Sequence, residues 1–551
     1  VSAARRKIKP PVIDVRASSN FFDGVVAGRS YVLGRENFLR CFQNQICKIS
    51  IQLKPNVPSD YLFFLHVDVE DYARVAWDLP MRRRGDEIFI SLDTSRPGVY
   101  RLVLKVVDSN KQSYLDQTDE GYLMIDPEAM LGLKMYTLIP AQTGHIGDWI
   151  KWLEPIRRMG FNAVHLLPIT TMGSSQSPYA TKYFSDIDPS YAIPGDPRPI
   201  QDQFEDFVEA MKSWHMKLCL DFVLNHVSID AEFQEKRPDW LYPDPNAKYG
   251  YRHAGCWHGS EWLEWEDLLL INYETKNERA RHELWNYMAK AAVFWSQYAD
   301  IIRLDNLHSS HMPFIKSVLH QIRKRNSEIV VLAEFFGNHH DIKNGVIDLG
   351  LNLVLATTWD QKFLPPLADY LRYLHSHPTL TYFSMPVSHD SGSALQEFSD
   401  ALYANLRFFI SVMITANYSG VVQGFEYVLP QKLHFIKVAS ADRVNFSNQP
   451  NNISDFMARC HEFKAHYPVL SARPTAIFNT DAVLAVFKQD EKSQALILVN
   501  MNIHKVETIE LLITGNLKNA VEIFESASHG HFHEGVNQID LPPAAMQIFL
   551  A

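Results

Sequence analysis

"RHELWNYMAKAAVFWSQYADIIRLDNLHSSH", residues 281–311, contains one complete passage from helix to strand. Apolar residues recur at helical spacing through Leu284, Met288, Ala292 and Trp295, which predicts an amphipathic helix. Ile301, Ile302 and Leu304 then suit a strand covered on both faces, and the Asn-Leu-His-Ser-Ser that follows cannot continue it. Side chains alternate along a strand, so Arg303 and Asp305 point to the same side at its end. Taken alone, the two could equally be a buried ion pair, or Asp305 could cap the next helix. The rest of the chain decides between these readings.

The same unit repeats on both sides. From Leu133 onward, "LKMYTLIP", "NAVHLLPI", "KLCLDFV", "DIIRLD", "IVVLAEF", "LNLVLATTW", "LTYFSMPVSHD" and "GVVQGFE" alternate with helical stretches such as "GDWIKWLEPIRRMG", "EDFVEAMKSWH" and "PFIKSVLHQIRKR". Strand-then-helix repetition implies a parallel sheet. Eight such units fit an α/β fold, a (β/α)8 TIM barrel with an enlarged loop after the third strand, better than an open doubly wound sheet. Before the barrel, "YLFFLHVDVE", "EIFISLD" and "GVYRLVLKVVD" alternate with a period of two between turn residues, and from about Ala476 "AVLAVFK", "ALILVNM" and "MQIFLA" do the same. The expected organisation is an N-terminal β-sandwich at 1–128, a barrel at 129–472 with an insertion at 227–272, and a C-terminal β-domain at 473–551.

Composition narrows the partners. A chain of 551 residues that is 46% hydrophobic can bury a large core. Its net charge of −10 is spread without long blocks, which argues against nucleic acid or an anionic membrane and for a neutral substrate. No apolar run approaches the roughly 18 residues that span a bilayer, and the opening "VSAARRKIKPPV" is basic with no apolar core behind it. Cys41, Cys47, Cys219, Cys256 and Cys460 are too scattered for a disulfide framework or a zinc site. The expectation is a cytoplasmic chain with reduced thiols, no cofactor and no metal; the oligomeric state is unknown.

In a barrel of this type chemistry gathers where the strands end. The third strand ends in Asp221, Asn225 and His226, the fourth in Arg303 and Asp305, the fifth in Glu334, and the seventh in His389 and Asp390. Any one of these would mean little, since acidic residues commonly cap helices; several strands delivering carboxylates to one rim mean more. Carboxylates converging with an arginine and two histidines suit glycosidic bond cleavage, which needs one carboxylate as nucleophile and one carboxylic acid to protonate the leaving oxygen. On this reading Arg303 keeps Asp305 ionised, and apolar Ala333, Phe335 and Phe336 raise Glu334 into the role of acid.

These stretches resemble the α-amylase superfamily, glycoside hydrolase family 13. "DFVLNH", "IIRLDNLH", "LAEFF" and "VSHD" are similar to its four signatures in order, and "SPYATKYFSDIDP" to the loop after its second strand. The resemblance implies Asp305 as nucleophile, Glu334 as general acid/base and Asp390 as the group that grips sugar hydroxyls while the ring distorts. It implies that Tyr179 stacks on the sugar being cleaved, that Arg303 orients Asp305, that His226 and His389 bond sugar hydroxyls, and that Asp221 and Asn225 support the site. An α-glucan or malto-oligosaccharide is the implied substrate.

The subfamily stays open. Lys182 and Tyr183 stand where many amylases have an aspartate, and "DNLHSSH" is similar to the glucanotransferase half of glycogen debranching enzymes. "LGLNLVLATTWDQKFLPPLADYL" and "YSGVVQGFEY" resemble maltosyltransferases that use maltose 1-phosphate. Transglycosylation is favoured over an amylase-type hydrolysis, and the alternative from another class is a catalytically silent glucan-binding scaffold. The insertion carries Trp240, Tyr242, Tyr249, Tyr251, Trp257, Trp262 and Trp265, which could stack on sugar rings or form the loop's own core.

Overall fold

The structure is a computed structural model that describes residues 12–13, 38–53, 57, 59–69, 75–108, 113–117, 120–258, 261–377, 380–436, 438–525 and 532–551. The basic opening residues 1–11 lie outside that range. Eight strands close into a barrel in chain order: β1 (Lys134–Leu138), β2 (Ala163–Leu166), β3 (Lys217–Phe222), β4 (Ile301–Leu304), β5 (Val330–Ala333), β6 (Leu353–Ala356), β7 (Tyr382–Ser384) and β8 (Tyr418–Val422). β8 pairs back onto β1 in parallel. The repeat read in the sequence is therefore a (β/α)8 barrel.

Burial explains why these short runs form strands. Every residue of β2, β4, β5, β7 and β8 is buried. Ile301 and Ile302 are wholly so, and each such side chain contributes about 1.5–3 kcal/mol. Gly420 is required where β8 meets β1, because a Cβ there would lie 2.5 Å from the Met135 carbonyl oxygen and 2.6 Å from the Phe383 ring.

Two excursions follow strands β2 and β3. Thr170–Met172 and Thr181–Ile187 form a hairpin, and His226–Ser228, Glu261–Leu270 and His253–His258 form a three-stranded antiparallel sheet. The latter is the enlarged loop expected after the third strand.

The flanking regions are all-β, as their period-two patterning requires. Near the N-terminus one sheet orders Phe38–Phe42, Gly121–Asp126, Gly98–Asp108, Tyr61–Val69 and Val75–Pro80, and another contains Ile46–Gln52, Glu87–Leu92 and Arg82–Arg84. Cys47, Ile49, Leu65, Ile88, Leu102 and Leu104 from both sheets share one core. At the C-terminal end, Val483–Gln489 and Gln494–Asn500 are central to a five-stranded sheet. Its apolar face packs in one cluster with that of the Glu507–Ile513 and Gly535–Leu541 pair.

By compactness the chain divides into residues 1–131 with 312–331 and 337–352, and residues 132–311 with 332–336 and 353–551. In the first unit Asp126 takes bonds from Arg40 and from the Asn352 amide, at 2.7 and 2.9 Å. All the candidate site residues belong to the second. Among the described residues, no helix is long and apolar enough to cross a membrane.

Candidate active site

Register brings the charged groups together. Asp221 on β3 lies directly opposite Arg303 on β4, and Asp305 and Glu334 follow the last residues of β4 and β5. The Arg303 side chain, 4% exposed, donates Nη1 to both Asp221 oxygens at 2.8 and 2.6 Å and to Asp305 Oδ1 at 3.1 Å. Its Nη2 donates to Glu334 Oε2 at 2.8 Å. A single guanidinium thus contacts three carboxylates from three strands, and its planar fork suits this bridging better than a lysine point charge.

Electrostatics sets Asp221 and Asp305 apart. Burial alone would raise Asp221, but the Arg303 guanidinium and His165 outweigh it and hold Asp221 below the usual carboxylate range. Asp305 moves the other way: burial, then the neighbouring Glu334 charge, pushes it well above that range, opposed by Arg303. This corrects the sequence-based picture in which Arg303 serves Asp305 foremost, because most of its bonding goes to Asp221 and Glu334. Glu334 Oε2 takes both Arg303 Nη2 and, at 2.9 Å, the Asn306 backbone N–H.

A second layer fixes the clamp. Thr137 on β1 contacts His165 Nδ1 at 3.1 Å, and His165 Nε2 reaches Asp221 Oδ2 at 3.3 Å. The Tyr179 hydroxyl donates to Asp221 Oδ2 at 3.0 Å and meets His389 Nε2 at 2.7 Å. The Tyr179 and His389 rings lie 6° from parallel, 5.7 Å apart. Burial lowers His389 to about 3, so its ring is neutral at ordinary pH. Its Nε2 also lies 3.1 Å from Asp390 Oδ2, and Asp390, with 57% of its side chain exposed, stands at the open rim.

Other groups near the rim are buried without partners. His226, lowered to about 4 by burial, has both ring nitrogens unbonded, the nearest candidate being the Tyr179 backbone. The Asn225 Nδ2 is also unsatisfied, as are both side-chain polar atoms of Asn306. The structure therefore brings Tyr179, Asp221, Arg303, Asp305, Glu334, His389 and Asp390 into one bonded network, with His226 beside it.

Residues 129–251 match the family model described as the glucanotransferase domain of glycogen debranching enzyme. The α-1,4-glucan:maltose-1-phosphate maltosyltransferase of Picrophilus torridus is 24% identical over 72% of this chain and 65% of its own length. That of Cereibacter sphaeroides is 23% identical over 67% and 58%. The chain is similar in sequence to enzymes of the α-amylase superfamily, glycoside hydrolase family 13. It spans about three fifths of the length of these curated relatives. Among solved structures, an α-amylase from Lactobacillus plantarum superposes with a TM-score of 0.62 at 16% identity, covering 77% of this chain and 99% of that one. The debranching enzyme of Nostoc punctiforme gives 0.59 at 14%, covering 77% and 99%. At such identities these two speak to the fold alone.

The aromatic residues of the insertion divide. Trp240 is buried against Phe233 and Tyr287 with Arg237 stacked 3.8 Å from its ring, so it belongs to the loop's own core. Trp265 packs 5.7 Å from His226, beside the network. Trp262 is 40% exposed at the tip of the sheet. Tyr242 bonds Glu274.

Sequence reasoning missed four participants. His165 carried a readable signal, a lone polar residue in the apolar strand "NAVHLLPI". Phe435, packed edge-on against both Tyr179 and His389, and Lys432, donating to the Asp390 carbonyl at 2.7 Å, come from the loop after β8, where no periodicity marks them. Asn306 carries no sequence signal of its own beside the more conspicuous aspartate that it follows.

Proposed function

We propose that the protein is a retaining enzyme of α-1,4-linked glucans that transfers a glycosyl group to a sugar acceptor. The single observation that carries this is the Arg303 clamp, which holds Asp305 and Glu334 within the reach of one guanidinium at the barrel rim. In the first step an Asp305 oxygen attacks C1 of the bound sugar and forms an ester; the C1–O bond breaks and the departing oxygen takes the proton from Glu334. In the second, Glu334 takes a proton from the acceptor hydroxyl, whose oxygen displaces Asp305 from C1. Asp390, with His389, grips hydroxyls of the ring while it distorts, Tyr179 with Phe435 forms the stacking wall, and the unpaired His226 and Asn225 are ready for sugar oxygens. A cytoplasmic α-glucan or malto-oligosaccharide is the proposed substrate.

The names of the curated relatives favour one second reading, in which maltose 1-phosphate is donor. Incubation with pure maltotetraose, with and without inorganic phosphate, separates the cases. Longer and shorter oligomers without a net gain of reducing ends support the proposal. Maltose 1-phosphate formed only with phosphate supports the second reading, and net release of reducing ends without longer oligomers overturns both in favour of hydrolysis.

A further inference from the structure

The residue after the proposed nucleophile has an unusual backbone. Asn306 has φ 45° and ψ 46°, in the left-handed region, which side chains other than glycine enter at a cost and asparagine enters more readily than most. In that conformation two successive N–H groups turn onto one residue: Asn306 N–H donates to Glu334 Oε2 at 2.9 Å and Leu307 N–H to the Glu334 carbonyl at 3.0 Å. Consecutive backbone N–H groups around a left-handed residue form a concavity that suits an anionic oxygen. The Glu334 N–H in turn donates to the Leu304 carbonyl at 3.1 Å, so the exit of β4 wraps the acid on three sides.

The side chain of Asn306 does not explain its presence. It is 4% exposed, and neither its Nδ2 nor its Oδ1 has a hydrogen-bond partner. Its backbone does the bonding, the carbonyl accepting from the Ser310 hydroxyl at 2.9 Å. Meanwhile Glu334 Oε2 receives both Arg303 and the Asn306 N–H, whereas Oε1 has no bond among the described residues. An oxygen engaged by two donors is a poor place for a third proton, so Oε1 is the oxygen open to carry one.

We infer that Asn306 is a positioning residue for the acid/base step: its left-handed backbone fixes Glu334 Oε2 and thereby commits Oε1 to the departing and arriving sugar oxygens. The inference rests on the function proposed above and deepens it. It concerns proton delivery alone, so it predicts a dependence on the leaving group that a general packing defect does not produce. A natural sugar leaving group needs the proton from Oε1. A dinitrophenolate departs without one.

The test compares wild type, Asn306→Gly, Asn306→Ala and Asn306→Val on maltotetraose and on a dinitrophenyl α-maltoside, reading kcat, KM and the burst of dinitrophenol. Glycine keeps the left-handed backbone and the N–H; alanine strains it, and β-branched valine strains it most. We expect Asn306→Val to lose about 100-fold in kcat on maltotetraose, within the range of general acid catalysis, with KM little changed. Its dinitrophenol burst rate should stay within about threefold of wild type, and Asn306→Gly should restore maltotetraose turnover to a similar margin. Asn306→Ala, the milder strain, gives the same pattern at smaller size and serves if the valine variant does not fold. Equal losses on both donors, or a glycine variant as impaired as valine, overturn the positioning role while leaving the function standing. A wild type that turns over neither donor overturns the function and the positioning role with it.

Discussion

The two sides of the candidate site are built on opposite principles. On the clamp side, Asp221, Arg303, Asp305 and Glu334 bond one another, and Thr137, His165 and Tyr179 bond the clamp. On the insertion side, His226 and Asn225 are equally buried, yet Asn225 Nδ2 and both ring nitrogens of His226 go unsatisfied. A buried polar group without a partner costs about 1–3 kcal/mol. On the function proposed above, the clamp side, the unpaired Asn306 side chain excepted, contributes geometry that exists before substrate arrives, and the insertion side holds bonding capacity in reserve for it. Changes on the clamp side should therefore cost chemistry or stability, and changes on the insertion side substrate recognition alone.

The largest effect is expected at Asp305. Asp305→Asn replaces the proposed nucleophilic carboxylate by a neutral amide but leaves the wall of Tyr179, His226 and His389, so kcat should fall by about 10⁴-fold or more while glucan affinity changes little. Turnover on maltotetraose and binding by calorimetry measure the two. Unchanged turnover would refute the covalent mechanism.

Arg303→Met attacks the clamp as structure. It strands Asp221, which has no exposed side-chain surface, and removing one partner of a buried pair costs about 3–5 kcal/mol. Chemical denaturation should show a loss of that size, and Arg303→Lys should recover only part, because an ammonium cannot contact three carboxylates in the fork geometry. A variant as stable as wild type would mean that the clamp does not hold the site together.

These contrasts bear on what a sequence can disclose. The barrel was legible because strand and helix periods alternate, and the carboxylates because each stands at the point where an apolar strand stops. The division of labour within the clamp was not legible: that Arg303 spends two bonds on Asp221 and one on each of Asp305 and Glu334 depends on side-chain rotamers and strand stagger, which neighbours in sequence do not encode. The polar partners of Glu334 were hidden as well, since at a strand end its side chain meets Arg303 of β4 and the backbone that follows it. Phe435 and Lys432 were invisible for a related reason, lying on a loop whose path is set by tertiary packing.

Glu426 tests whether buried pairing by itself marks the working side. Its Oε1 accepts from the Tyr136 hydroxyl at 2.6 Å and its Oε2 from the Gly424 N–H at 3.0 Å. Tyr136 points away from Thr137 along β1 and packs on Trp152 and Phe161, so this pair faces the helical layer. Burial raises Glu426 to about 7. An acid whose folded value lies above its unfolded one binds its proton more tightly when folded, so its contribution to stability is lost as pH rises from about 4.5 through 7. The full difference amounts to about 3 kcal/mol, and a comparison of unfolding free energies of wild type and Glu426→Gln across that window should isolate it, with kcat at fixed pH little altered. A large loss of kcat would show that the helical-layer pair also serves the chemistry.

The smallest effect, and the sharpest test of the contrast, is expected at His226. Alanine there removes two buried, unpaired ring nitrogens and one ring contact with Trp265. The first change relieves a desolvation cost and the second forfeits packing, so unfolding free energy should move by no more than about 1 kcal/mol in either direction. Burial holds the folded ring near 4, below the usual histidine value. The unfolded chain therefore binds the extra proton first, and wild-type stability should decline as pH falls from about 6.5 towards 4 more steeply than that of His226→Ala. In catalysis the same variant loses the hydrogen bonds reserved for sugar oxygens, which should lower kcat/KM for maltotetraose about tenfold. Lower activity at undiminished stability is the signature of a group kept unsatisfied for its substrate. A loss of more than about 2 kcal/mol in stability with kcat/KM intact would instead make His226 part of the insertion's core and erase the difference between the two sides.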